Sequence, residues 1–104
     1  MSPMEIKQDH TQGTITLDEN LVASQVPELK TAMKGLLEQG VTHLEVDFTQ
    51  VKIVDSSGIG CLIAAHNSLV KIGGGLTVFG VSADIFELFS SMRLNRHFTI
   101  KPIA

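Results

Sequence analysis

Apolar and polar residues along this chain change period several times, and each change marks an element. Glu5-Ile6-Lys7-Gln8 and Thr14-Ile15-Thr16-Leu17 alternate with period two, predicting short strands around a hairpin turn at His10-Thr11-Gln12-Gly13. Met1 to Met4, ahead of them, reads as a loose start. From Val22 the period lengthens. Val22, Val26, Leu29, Met33, Leu36 and Leu37 form one apolar stripe, which predicts a helix of about four turns. Ser24 reads as its N-cap, Pro27 is compatible with the first turn, and Gly40 marks the stop.

Beyond Gly40, His43 to Phe48 alternates in part, and Val51 to Val54 adds a β-branched piece. The helical period returns after Ser56 with Ile59, Leu62, Ile63, His66, Leu69 and Val70, and Gly73-Gly74-Gly75 ends it. Leu76 to Val81 reads as a clean strand. Ser82 then caps a short helix with Ile85, Phe86, Phe89 and Met92 facing inward, and Phe98-Thr99-Ile100 is a last extended piece. Strands separated by single helices pair in parallel through right-handed crossovers. The prediction is one α/β domain over residues 1–104, with a mixed, mostly parallel sheet and helices packed against it.

Composition narrows what such a domain does. A chain of 104 residues, 43% hydrophobic and 18% charged, supports one globular core. Its net charge of -3 supplies no basic field, and without Tyr or Trp there is no evident base-stacking platform, so nucleic acid is not an expected partner. Cys61, the lone cysteine, has no internal disulfide partner and reads as a buried reduced thiol. No stretch approaches the roughly 20 apolar residues that span a bilayer, so no direct membrane insertion is expected and the cytoplasm is the expected location.

The densest signal is Asp55-Ser56-Ser57-Gly58-Ile59-Gly60, where an extended piece meets a helix. Loops leaving the carboxyl ends of parallel strands form the functional rim of such a sheet, and Asp47 and Asp55 both belong there. Two readings stay open from the residues themselves. Ser56 is a helix cap, worth about 1 kcal/mol relative to Ala. Alternatively it is a hydroxyl held out for modification, with Gly58 and Gly60 keeping the approach clear and the helix N-terminus stabilising an attached phosphate.

Intrinsic catalysis finds little support in the sequence. Neither serine has glycine two residues before it, as a nucleophile elbow requires. Gly58-Ile59-Gly60-Cys61-Leu62-Ile63 places isoleucine where a dinucleotide fingerprint needs a small residue, and the 73–75 glycines precede a strand rather than a helix. His10, His43, His66 and His97 lack metal-ligand spacing; His66 reads as a satisfied structural imidazole. Lys30 and Lys34 read as a solvated helix face.

Taken together, Val46-Asp47-Phe48, Ile53 to Gly60, Ile72-Gly73-Gly74-Gly75-Leu76 and Met92-Arg93-Leu94 through Phe98 resemble the STAS domain of small bacterial anti-sigma factor antagonists. The resemblance runs from about Leu44 to Phe98. It implies a non-enzymatic partner-switching regulator without a cofactor of its own, phosphorylated on the residue directly after the aspartate. That residue is Ser56, with Ser57 the second candidate. The candidate partner-binding rim is Asp47, Asp55, Ser56, Ser57, Gly58 and Ile59, although the helical pattern reads Ile59 as core rather than docking surface. The implied partners are a serine kinase that acts as an anti-sigma factor, to which ATP and magnesium would belong, and a metal-dependent serine phosphatase.

One segment departs from the family pattern. Members often carry Gly-x-Leu-Asp before the first long helix, whereas this chain reads Leu17-Asp18-Glu19-Asn20-Leu21-Val22. That leaves the client open to a response-regulator phosphatase or another output protein. The alternative function is a structural STAS subunit of a transport or membrane-associated complex, with Ser56 only a cap.

Overall fold

The computed structural model describes residues 4–103. Strands β1 (Met4–Asp9) and β2 (Gln12–Leu17) form an antiparallel hairpin, followed by helix α1 (Val26–Glu38) and strand β3 (His43–Asp47). Helix α2 (Ser56–Lys71), strand β4 (Gly75–Val81), helix α3 (Ala83–Ser91) and strand β5 (Thr99–Pro102) complete the chain. The five strands lie in sequence order, and every pair after the hairpin is parallel. The expected mixed, mostly parallel sheet is therefore present.

Sequential order has a geometric consequence. Right-handed crossovers that always step the same way return on the same side, so all three helices cover one face. Burial agrees: Leu44 and Val46 of β3 are buried, while His43 is exposed and Glu45 and Asp47 are only half-buried. Ile6, Ile15, Val46, Val78 and Ile100 stand opposite one another on successive strands, forming a row across the covered face. Leu29 of α1, Leu62 of α2 and Phe89 of α3 are fully buried above the sheet. The Phe89 ring meets Phe48 and Phe98 edge to face, with centroids 6.1 and 6.4 Å away.

The backbone also explains why α2 ends on glycines. A Cβ on Gly74 would stand 1.6 Å from the Thr42 carbonyl oxygen, so only glycine lets the chain cross there into β4.

Several local expectations differ from what is observed. Met4 is a buried residue of β1 rather than part of a loose start; residues 1–3 lie outside the described residues. The hairpin turn is tighter than expected, with Asp9 opposite Gln12 and His10 in the left-handed region at φ 55°. Ser24 does not cap α1: it lies in a 3-10 turn, Ala23–Gln25, and makes no side-chain cap bond. Val51 to Val54 is not a strand, because only Val54 bridges to another segment, at Leu21. Met92 and Val70 are about half exposed rather than inward. His66 is not satisfied either: its buried Nδ1 has no hydrogen-bond partner among the described residues, and the ring stands 6.0 Å from those of His97 and Phe98. No described helix is long and apolar enough to cross a membrane.

Candidate functional site

Strands β2, β3 and β4 all end on one edge of the sheet, and α2 begins there. The loop leading into α2 has few backbone partners of its own, so other segments hold it. Asn20 Oδ1 accepts the amides of Lys52 (2.9 Å) and Ile53 (3.0 Å). The Leu21 amide donates to the Ile53 carbonyl (3.1 Å), and the Asp55 amide donates to the Leu21 carbonyl (3.2 Å). A single parallel bridge, Leu21 with Val54, registers the two segments.

Asp55 then joins them through its side chain. Oδ1 accepts the Gly58 amide of α2 at 2.9 Å, which makes Asp55 the N-cap of that helix. Oδ2 accepts the Ala23 amide at 2.9 Å, at the start of the 3-10 turn that leads to α1. One carboxylate therefore caps two helical segments that are far apart in sequence. The Gly58 amide chiefly holds its pKa below the ordinary 3.8; partial desolvation opposes this, and the Ala23 and Ser57 amides add to the lowering.

That arrangement revises both readings of the serine turn. Ser56 is the first residue of α2, not its cap, because Asp55 does the capping. Ser56 and Ser57 are exposed, and neither hydroxyl makes a hydrogen bond among the described residues. The helix N-terminus already holds an anion, the Asp55 carboxylate, so a phosphate on Ser56 would stand beside a negative charge rather than in an empty amide cradle.

The rim residues divide in two. Asp55, Ser56 and Ser57 come together on the surface, with Ile53 beside them in sequence and 58% exposed. Asp47 stands on the same edge, half-buried, with Oδ1 accepting the Thr49 amide at 2.9 Å. Gly58 and Ile59 are buried and offer no surface to a partner. Gly58 does not clear an approach to the serines: a Cβ there would stand 2.6 Å from the Leu21 carbonyl oxygen and 2.9 Å from Leu21 Cγ. Gly60, by contrast, borders open space. Asn20, Leu21 and Ala23 are the members of this site that the local pattern missed. Their signal is weak, an Asn in a polar run and an unexplained glycine at the third position of a helix.

The site is thus a serine turn on the carboxyl edge of a one-sided α/β sheet, with an aspartate capping the helix that begins there. Residues 4–102 match the family model described as "Mlab, STAS domain". An anti-sigma-B factor antagonist of Listeria monocytogenes is 30% identical over 102 residues, covering 96% of this chain and 89% of that protein. The chain belongs to the STAS domain family, the family of the bacterial anti-sigma factor antagonists. Solved structures share the fold at lower identity. An anti-sigma factor antagonist from Mycobacterium paratuberculosis superposes with a TM-score of 0.82 at 17% identity, over 95% of this chain and 84% of that one. The Bacillus cell fate determinant SpoIIAA in its phosphorylated form gives 0.75 at 19% identity, over 93% and 89%.

Proposed function

We propose that this chain is a non-enzymatic, phosphorylation-controlled partner-switching regulator, acting in the cytoplasm. In this reading the unmodified Ser56 surface binds a serine kinase that acts as an anti-sigma factor, or a protein of that kind. Phosphate on Ser56 releases the partner, and a metal-dependent serine phosphatase restores binding. The observation that carries the reading is an exposed hydroxyl without a structural task, fixed in place by a neighbouring carboxylate that has one.

The physics of release is local. A phosphate adds about -1.5 to -2 charges. It would stand one residue from Asp55, whose pKa is lowered, and three residues after the exposed apolar Ile53. A partner seated on a neutral hydroxyl and an isoleucine side chain then meets like charge and a desolvation cost. About 2.7 kcal/mol of differential affinity separates the two forms by a hundredfold. The fold itself loses nothing, since neither serine hydroxyl holds it together.

Site-resolved mass spectrometry of the chain from its own cells, beside a Ser56→Ala control, tests the modification. Affinity capture with wild type and Ser56→Asp tests the switch. Phosphate on Ser56 together with a partner retained by wild type and lost by Ser56→Asp supports the reading. An unmodified Ser56 across growth conditions, with assembly retained by Ser56→Asp, overturns it in favour of a structural subunit of a larger complex.

A further inference from the structure

Away from the serine turn, the seam between α1 and α2 is incompletely filled. On α2 the residues at three- and four-residue spacing that face α1 are Cys61, Ala64, Ala65 and Ser68, all short. Helices normally close such a seam with interdigitating side chains. Here a cavity of about 310 Å³ remains, at the lower end of the size range of small-molecule sites. Met33 and Leu37 of α1 and Leu69 of α2 give it apolar walls.

The mouth of the cavity has a different character. Lys30 and Lys34, one helical turn apart and exposed, border the opening, and neither makes an ion pair among the described residues. No carboxylate lines the cavity, and α2 contains no acidic residue. Burial pushes the Cys61 thiol pKa up, and the Lys30 charge opposes that rise. Two unpaired cations above an apolar slot complement one kind of ligand: an anionic head on a hydrocarbon tail.

We propose that the α1–α2 cavity binds a free single-chain carboxylate amphiphile, with the tail between Met33, Cys61 and Ala65 and the carboxylate between Lys30 and Lys34. None of the residues lining the cavity belongs to the serine turn. Apolar burial supplies affinity, and the lysines select the head group.

Titration of the intact chain with decanoate below its micelle concentration tests this, followed by the Met33 methyl signal in NMR and by alkylation of Cys61. The expected result is saturable binding that shifts Met33, slows Cys61 alkylation and weakens as salt is raised. Decanol should bind at least ~10-fold more weakly than decanoate, and the Lys30→Gln/Lys34→Gln pair should lose a similar factor for decanoate. Ala65→Leu should fill the slot and abolish binding. Ser68→Leu, at an exposed position, serves the same purpose if Ala65→Leu does not fold. Absence of saturable binding overturns the proposal, as does binding unchanged in the folded leucine variants. Equal affinity for decanol and decanoate, or no effect of the lysine pair, overturns it too.

Discussion

Gly58→Ala sets two physical rules against each other, and the structure says which wins. Gly58 lies in the first turn of a sixteen-residue helix, where propensity alone favours Ala by up to about 1 kcal/mol. The new methyl, however, would stand 2.6 Å from the Leu21 carbonyl oxygen, 2.9 Å from Leu21 Cγ and 3.2 Å from Val54 Cγ1. Leu21 is only 1% exposed, so its side chain has nowhere to retreat, and its carbonyl accepts the Asp55 amide. Overpacking of this kind costs about 1–3 kcal/mol. Because the nearest atom is a backbone oxygen, the upper part of that range, about 2–3 kcal/mol, applies, and less a propensity gain of about 1 kcal/mol the net destabilisation is about 1–2 kcal/mol. For a domain of this size each kcal/mol moves Tm by roughly 4–8 °C. Gly60→Ala is the matched control, because a Cβ there meets nothing within 4 Å and propensity acts alone. The chain has no Trp or Tyr, so far-UV circular dichroism during heating and urea unfolding is the assay. Gly58→Ala should melt below wild type and Gly60→Ala at or above it. Two variants moving together, or Gly58→Ala equal to wild type, would refute the close approach of Leu21 as the reason for this glycine.

Three further outcomes follow from the same geometry. Asp55 has a lowered folded pKa, so its stabilising contribution is complete above the ordinary value of 3.8 and is lost as pH falls below that toward the folded value. Asp55→Asn should flatten this acid limb in pH-dependent urea unfolding, and an unchanged limb would show that other carboxylates cause it. Ser56→Ala should leave stability within about 0.5 kcal/mol of wild type, because Ser56 is exposed and not the cap; a loss near the ~1 kcal/mol of a true N-cap in chemical denaturation would contradict that assignment. Phe89→Ala removes a fully buried ring that touches two others, and equilibrium unfolding should register a loss of about 3–5 kcal/mol.

Much of this fold was legible because period and burial agree. The stripe at Val26, Leu29, Met33 and Leu36 is the buried face of α1, and Leu76 to Val81 is the body of β4. Prediction failed where a distant segment decides local structure. Val51 to Val54 has strand-like residues, but β propensity describes fit to a sheet surface and carries no information on whether a neighbouring strand exists. Here Asn20 and Leu21 hold the piece as a loop. Ser24 and Ser56 both look like caps, yet α1 has no side-chain cap and follows a 3-10 turn whose first amide goes to Asp55, while Asp55 itself caps α2. Nothing near Ala23 announces a partner 32 residues away. The serines of the candidate site were readable from the turn; the geometry that fixes them was not.

That long-range clasp gives the turn a property its letters lack. A peptide from Lys52 to Gly60 carries both serines and the aspartate, but neither Leu21 nor Ala23. In isolation Asp55 then has no second amide to accept, and its own amide has no Leu21 carbonyl to reach. The surface is a discontinuous epitope, assembled only when α1 and β3 have closed the chain between its halves. A protein that recognised this turn by shape would thus distinguish a finished domain from a nascent or unfolded chain of the same sequence.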